Sequence, residues 1–136
     1  MKTKISFILA WITSVIAMSG SLYFSEVMKF IPCSFCWYQR ILMYPLTWIL
    51  GYAAWKRDTR IIPYVLPLTI LGMFLSGLHY LQQQFVIFEP TCSVSYIPCA
   101  GKYIEWLGFI TIPLLSFTAF SIISFSLIYI KKQNNK

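Results

Sequence analysis

The chain has 136 residues, of which 58% are hydrophobic and only 11% charged, with a formal net charge of +7 and a mean hydropathy of +0.68. Soluble domains carry about 25% charged residues, so the composition excludes an ordinary water-soluble globule and points to an integral membrane protein. The positive charge is no sign of nucleic-acid binding, because the basic residues gather at the ends of apolar stretches instead of interleaving with aromatics in a polar region.

Four apolar runs follow one another: Ile5 to Phe24, Trp37 to Trp55, Ile61 to Leu81 and Leu107 to Ile130. Each approaches the ~20 residues needed to cross a ~30 Å hydrocarbon core. Alternating ten-residue strands are absent from the pattern, so helices are the way to satisfy these backbones in lipid. The first run follows Met-Lys-Thr-Lys, as a signal peptide would, but it exceeds the usual ~7–15 apolar residues and closes on the interfacial pair Tyr23-Phe24. It is expected to stay as a span. The predicted fold is an all-α integral membrane protein, a four-transmembrane-helix bundle forming a single domain over residues 1–136. Pro45, Pro63, Pro67 and Pro113 fall within or near the ends of spans, where membrane helices tolerate proline and kinks are expected. Gly72 and Ser76 form a small-xxx-small pair suited to close helix approach.

Charge sets the orientation. Lys2 and Lys4 precede the first span, Lys56, Arg57 and Arg60 separate the second from the third, and Lys131, Lys132 and Lys136 follow the fourth. These regions hold eight of the eleven basic residues. The positive-inside rule then places both termini in the cytoplasm and turns the two remaining gaps outward. Those two gaps contain all four cysteines, Cys33 and Cys36 in one and Cys92 and Cys99 in the other.

Outside the cytoplasmic membrane cysteines can form disulfides, so a static staple is the plain reading. The C-x-x-C spacing of Cys33 and Cys36 argues instead for a pair that cycles between dithiol and disulfide. Cys36 also opens the second span, where the helix dipole favours a thiolate. Arg40 lies four residues on, about 6 Å along the same helical face, and its charge acts in the same sense. An ionisable residue inside a span is a functional candidate, although snorkelling to headgroups would equally place an arginine there. His79 is the sole histidine and falls near the outer end of the third span, at a depth similar to Arg40. It reads either as a hydrogen-bonded packing residue or as a donor to a bound acceptor. Trp37, Tyr38 and Tyr80 would wall such a pocket or form an interfacial aromatic belt.

Cys92 and Cys99 are separated by six residues in the longest gap, restrained by Pro90 and Pro98. This is not a zinc-knuckle spacing, and no metal site is expected. An exposed disulfide here would be labile towards an incoming thiolate. The spacing leaves open whether the resting state holds two intraloop disulfides or an interloop bridge such as Cys33 to Cys99. No nucleophile–histidine–carboxylate set, phosphate loop or paired intramembrane carboxylate supports a hydrolase, a nucleotide-driven pump or carboxylate-based proton transport.

The run Cys33-Ser34-Phe35-Cys36-Trp37-Tyr38-Gln39-Arg40 matches the C-x-x-C-x-x-Q-R motif at the outer end of the second helix in the DsbB family of membrane disulfide-forming oxidoreductases. Across its whole length the chain resembles this family, and most of all its short, BdbC-like form. The resemblance implies a multi-pass protein of the bacterial cytoplasmic membrane that reoxidises an extracytoplasmic thioredoxin-fold oxidase of DsbA or BdbD type, enabling disulfide formation in exported proteins. It implies a quinone, menaquinone or ubiquinone, bound near Cys36 and exchanging with the membrane quinone pool and respiratory chain. By the same resemblance Cys92, paired with Cys99, receives the partner's thiolate. The Cys33–Cys36 pair passes electrons onward, Arg40 supports quinone binding, and His79 lies near the quinone. A partner as oxidising as about −120 mV needs a still stronger acceptor, which suits a quinone. The chain departs from longer family members, whose second cysteine pair is more widely separated and accompanied by a surface-lying helix.

Two other readings compete. A vitamin K epoxide reductase-like quinone reductase shares the four-helix redox bundle, but its catalytic Cys-x-x-Cys follows the loop pair, whereas here it comes first. A non-enzymatic membrane subunit stapled by disulfides predicts cysteines that never exchange.

Overall fold

The computed structural model describes residues 1–27, 29, 34–85 and 112–136. All its regular structure is helical: α1 (Lys2–Glu26), α2 (Ser34–Lys56), a single 3-10 turn (Thr59–Ile61), α3 (Ile62–Phe85) and α4 (Ile112–Asn134). Each helix grows from one expected apolar run. α1, α2 and α3 continue past the expected boundaries at both or one of their ends, through Lys2, Lys4, Ser34 and the glutamines 82–84. The reason is that hydropathy falls at the first polar residue, whereas the i→i−4 ladder continues through good helix formers into the interface. The expected start of the last span, residues 107–111, lies outside the described residues.

Among the described residues, Lys2–Glu26, Thr59–Gln82 and Ile112–Asn134 are long and apolar enough to cross a membrane. α2 is also 23 residues long, but it carries Gln39, Arg40 and the polar-tipped rings of Trp37, Tyr38, Tyr44, Trp48, Tyr52 and Trp55, which make it less apolar than its neighbours. α2 and α3 run through Pro45 and Pro67. Pro63 and Pro113 occupy the second helical positions of α3 and α4, where no intrahelical N–H is required.

The helices pack as a ring in chain order, α1 against α2, α2 against α3, α3 against α4 and α4 back against α1, with the α2–α3 seam the thinnest. Phe7, Ala10, Met43, Leu46, Leu50, Ala53, Ile62, Val65, Phe120, Ile123, Leu127 and Ile130 fill the interior. Lipid tails are as apolar as these side chains, so close packing and small residues, not water exclusion, hold such helices together. The Gly72–Ser76 pair does this at the α3–α4 seam. Phe120, fully buried, lies against Gly72 so closely that a Cβ there would overlap its ring. Ser76 Oγ donates to the Gly72 carbonyl at 2.8 Å and lies 3.1 Å from Ser116 Oγ on α4. Several other hydroxyls are satisfied within their own helices, for example Thr13 on the Leu9 carbonyl, Thr69 on that of Leu66 and Ser126 on that of Ile122, which makes them tolerable in an apolar span, whereas the buried hydroxyls of Tyr44 and Ser124 find no partner among the described residues.

One end of the bundle is basic and tied by polar contacts. Thr3 on α1 donates to Gln133 Oε1 on α4 at 2.9 Å, and Asn134 Nδ2 donates to Thr59 Oγ1 in the α2–α3 turn at 3.3 Å. Arg57, just past α2, adopts φ 54°, a left-handed helix-ending conformation. Lys2, Lys4, Lys56, Arg57, Arg60, Lys131 and Lys132 cluster around this end. The end of α1, the start of α2, the end of α3 and the start of α4 therefore meet at the opposite end.

Candidate active site

Cys36, Arg40 and His79 fall within the described residues; Cys33, Cys92 and Cys99 lie outside them. Cys36 is the third residue of α2 and half-buried. It sits in the first turn, where backbone N–H groups lack intrahelical acceptors and the helix dipole is positive. Each residue turns the helix by ~100°, so the motif offers two adjacent faces, one with Phe35 and Gln39 and the other with Cys36 and Arg40.

The two faces meet different helices. Gln39 faces α3, where its Nε2 lies 3.2 Å from Nδ1 of His79. The Phe35 ring stacks on the same imidazole at 5.6 Å between centroids and 24° between planes. Both hydrogen-bonding partners are buried, Gln39 to 6% exposure and His79 to 1%. Arg40 turns instead toward α1, where Nη2 donates to the Ser21 carbonyl at 3.0 Å. Its guanidinium carbon lies 5.8 Å from the centroid of Trp37, within cation–π range. Arg40 Nε is buried and has no hydrogen-bond partner among the described residues. Through Gln39, Arg40 and His79 lie at one level of the bundle, with α2 itself between their two directions of approach.

Gln39 and Phe35 received no role in the sequence reading. Their signal was present: a glutamine in the middle of an apolar run, and a phenylalanine four residues before it on the same face. Trp37 and Tyr38, by contrast, are 55% exposed and look away from the bundle, as belt aromatics do. Tyr80 is half-buried beside His79 in the chain.

Chemically, the arrangement places a thiol at a positive helix end, one turn from a fixed guanidinium with one donor unspent among the described residues. A buried donor without an acceptor costs about 1–3 kcal/mol, which an oxygen acceptor at that point would recover. A quinone carbonyl fits this requirement.

The family model for disulfide bond formation protein DsbB matches residues 3–130. Disulfide bond formation protein C of Bacillus subtilis is 52% identical over 100% of both chains. Probable disulfide formation protein C of Halalkalibacterium halodurans is 49% identical over 84% of each chain. A probable disulfide formation protein of Coxiella burnetii is 45% identical over 88% of this chain and 82% of its own. No solved structure matches the chain significantly. Helices able to cross a membrane, a Cys-x-x-Cys-x-x-Gln-Arg run opening α2 and a match spanning nearly the whole length agree on one conclusion: the chain is a membrane protein belonging to the DsbB family of disulfide bond formation proteins.

Proposed function

We propose that this chain is a quinone-dependent thiol oxidase of the bacterial cytoplasmic membrane, which reoxidises an extracytoplasmic thioredoxin-fold oxidase and so sustains disulfide formation in exported proteins. The observation that carries this reading is the first turns of α2, where half-buried Cys36 shares a helical face with Arg40 and Arg40 Nε is a buried donor with no acceptor among the described residues. Membership of the DsbB family supports it.

In this reading α2 is the fourth membrane crossing. Its 23 residues span about 35 Å, and the basic end of the bundle faces the cytoplasm by the positive-inside rule. The cysteine pairs then face outward. The partner's dithiol attacks the Cys92–Cys99 disulfide through a mixed disulfide at Cys92 and leaves as a disulfide, with Cys92 and Cys99 reduced. Exchange with the Cys33–Cys36 disulfide moves the two electrons onward and restores Cys92–Cys99. A bound quinone supplies the final two-electron, two-proton acceptor. Arg40 would hold this acceptor with its remaining donor and its charge would favour the reduced, more negative form, while its bond to Ser21 keeps the guanidinium in place. Cys36, in the first turn of α2, is the thiol that delivers the electrons, and His79, held by Gln39 on the adjoining face of α2, is the proton donor.

The test is anaerobic oxidation of a reduced thioredoxin-fold partner by the purified protein with added menaquinone or ubiquinone analogue, followed by quinone absorbance, beside a Cys36→Ala control. Stoichiometric loss of oxidised quinone that needs Cys36 is expected. A folded preparation that consumes none with a competent partner would point instead to a static, disulfide-stapled membrane subunit.

A further inference from the structure

The contact between Gln39 and His79 joins one side-chain amide to one ring nitrogen. The amide Nε2 of Gln39, not its Oε1, lies 3.2 Å from His79 Nδ1. An amide nitrogen donates and cannot accept. With the amide turned this way the bond uses a lone pair on Nδ1, which leaves Nε2 as the nitrogen that carries the ring proton. Phe35, stacked on the ring at 5.6 Å, fixes the plane in which that proton lies. Both bonding partners are buried, so bulk water does not exchange freely for either. Two of the contacts that hold the ring, the amide at Nδ1 and the aromatic on its face, thus come from α2, from the neighbours in sequence of Arg40 and Cys36 respectively.

We propose that Gln39 is a positioning residue that sets the His79 tautomer, keeping Nδ1 as acceptor and Nε2 as the protonated nitrogen. In this state the ring can act only as a donor through Nε2, which is what delivery of a proton to a reduced acceptor requires. The Gln39-Arg40 dipeptide then divides its work between two helices: Arg40 is braced on α1, and Gln39 sets the chemistry of a residue on α3. The link to catalysis rests on the functional reading above, whereas the tautomer assignment does not depend on it.

His79 is the only histidine in the chain, so nitrogen-15 NMR of the full-length protein, labelled in histidine and carrying a histidine-free affinity tag, reads this one ring. The wild type is expected to show Nδ1 in the unprotonated range and Nε2 in the protonated range, without any quinone present. Gln39→Glu offers only acceptors and is expected to move the proton onto Nδ1. Gln39→Leu, which keeps the bulk but removes both hydrogen-bonding atoms, is expected to give a mixture of tautomers. With these shifts, kcat/KM for quinone should fall about tenfold or more in both variants, within the ~10²-fold that one positioned proton donor contributes, while KM for the protein partner stays unchanged. A protonated Nδ1 in the wild type, or ring spectra in Gln39→Leu identical to wild type, overturns the assignment. Wild-type protein with the expected tautomer but no quinone reduction would sink the functional reading and leave the tautomer assignment standing.

Discussion

Arg40 of α2 donates through Nη2 to the Ser21 carbonyl of α1 at 3.0 Å, while its Nε stays buried with no partner among the described residues. A snorkelling arginine would spend its whole fork on headgroups and water. Here one arm is fixed to the neighbouring helix and another donor is held back inside the protein. A planar guanidinium does both at once because its donors are set rigidly apart. That division separates bracing from binding and makes the two roles experimentally distinct.

Arg40→Lys is therefore not conservative. An ammonium can keep the charge near Cys36, or reach Ser21, but it has no second donor at the position of Nε. Loss of one charge-assisted hydrogen bond is worth about 2 kcal/mol, so KM for quinone should rise roughly thirtyfold. Arg40→His should behave similarly. KM for the protein partner should not move in either variant; a change confined to the partner would assign Arg40 to docking instead.

The order of the relay can be read by feeding electrons at two points. Cys36→Ala should abolish quinone reduction from any thiol source. Cys92→Ala should abolish it from the protein partner yet leave it intact when a small dithiol reduces the Cys33–Cys36 pair directly. Quinone assays with both reductants decide this. Wild-type turnover from the partner in Cys92→Ala would remove Cys92 from the path.

Much of this architecture was legible because a bilayer demands it. Four apolar runs of spanning length had to be helices, and the basic clusters at Lys56–Arg60 and Lys131–Lys132 marked the end where α4 now meets the α2–α3 turn through Asn134 and Thr59. The i, i+4 spacing put Cys36 and Arg40 on one face without showing which helix that face would meet. This depends on how α2 rotates about its own axis, and that rotation follows its whole buried stripe, Gln39, Met43, Leu46, Leu50 and Ala53. Gln39 remained unassigned because a lone glutamine in an apolar run takes its meaning from its partner, His79, forty residues away. Gly72 and Ser76 announced a close approach, but nothing in their spacing named Phe120 and Ser116 on α4 as the surfaces approached.

Orientation has a direct readout. In a variant whose four cysteines are replaced by alanine or serine, a single cysteine at Lys29 should react with a membrane-impermeant maleimide in intact cells. One at Thr59, in the basic turn that bonds Asn134, should react only after the membrane is permeabilised. The reverse pattern would place the basic end outside and overturn the positive-inside assignment.

Gly72→Ala probes the seam on which the far side of the bundle depends. A Cβ at this position would stand 2.5 Å from Cζ of Phe120, and the ring is fully buried, so it cannot swing aside without displacing the core around it. Overpacking of this kind costs about 1–3 kcal/mol, to be seen as earlier unfolding in a denaturant titration of the detergent-solubilised protein. Phe120→Leu alone should also destabilise, because it opens a void where the ring lay. Combined with Gly72→Ala it should be less harmful than the sum of the two, since the smaller side chain relieves the clash. Strict additivity in that double-mutant cycle would mean that Gly72 and Phe120 do not meet, and that the small pair on α3 serves some other neighbour.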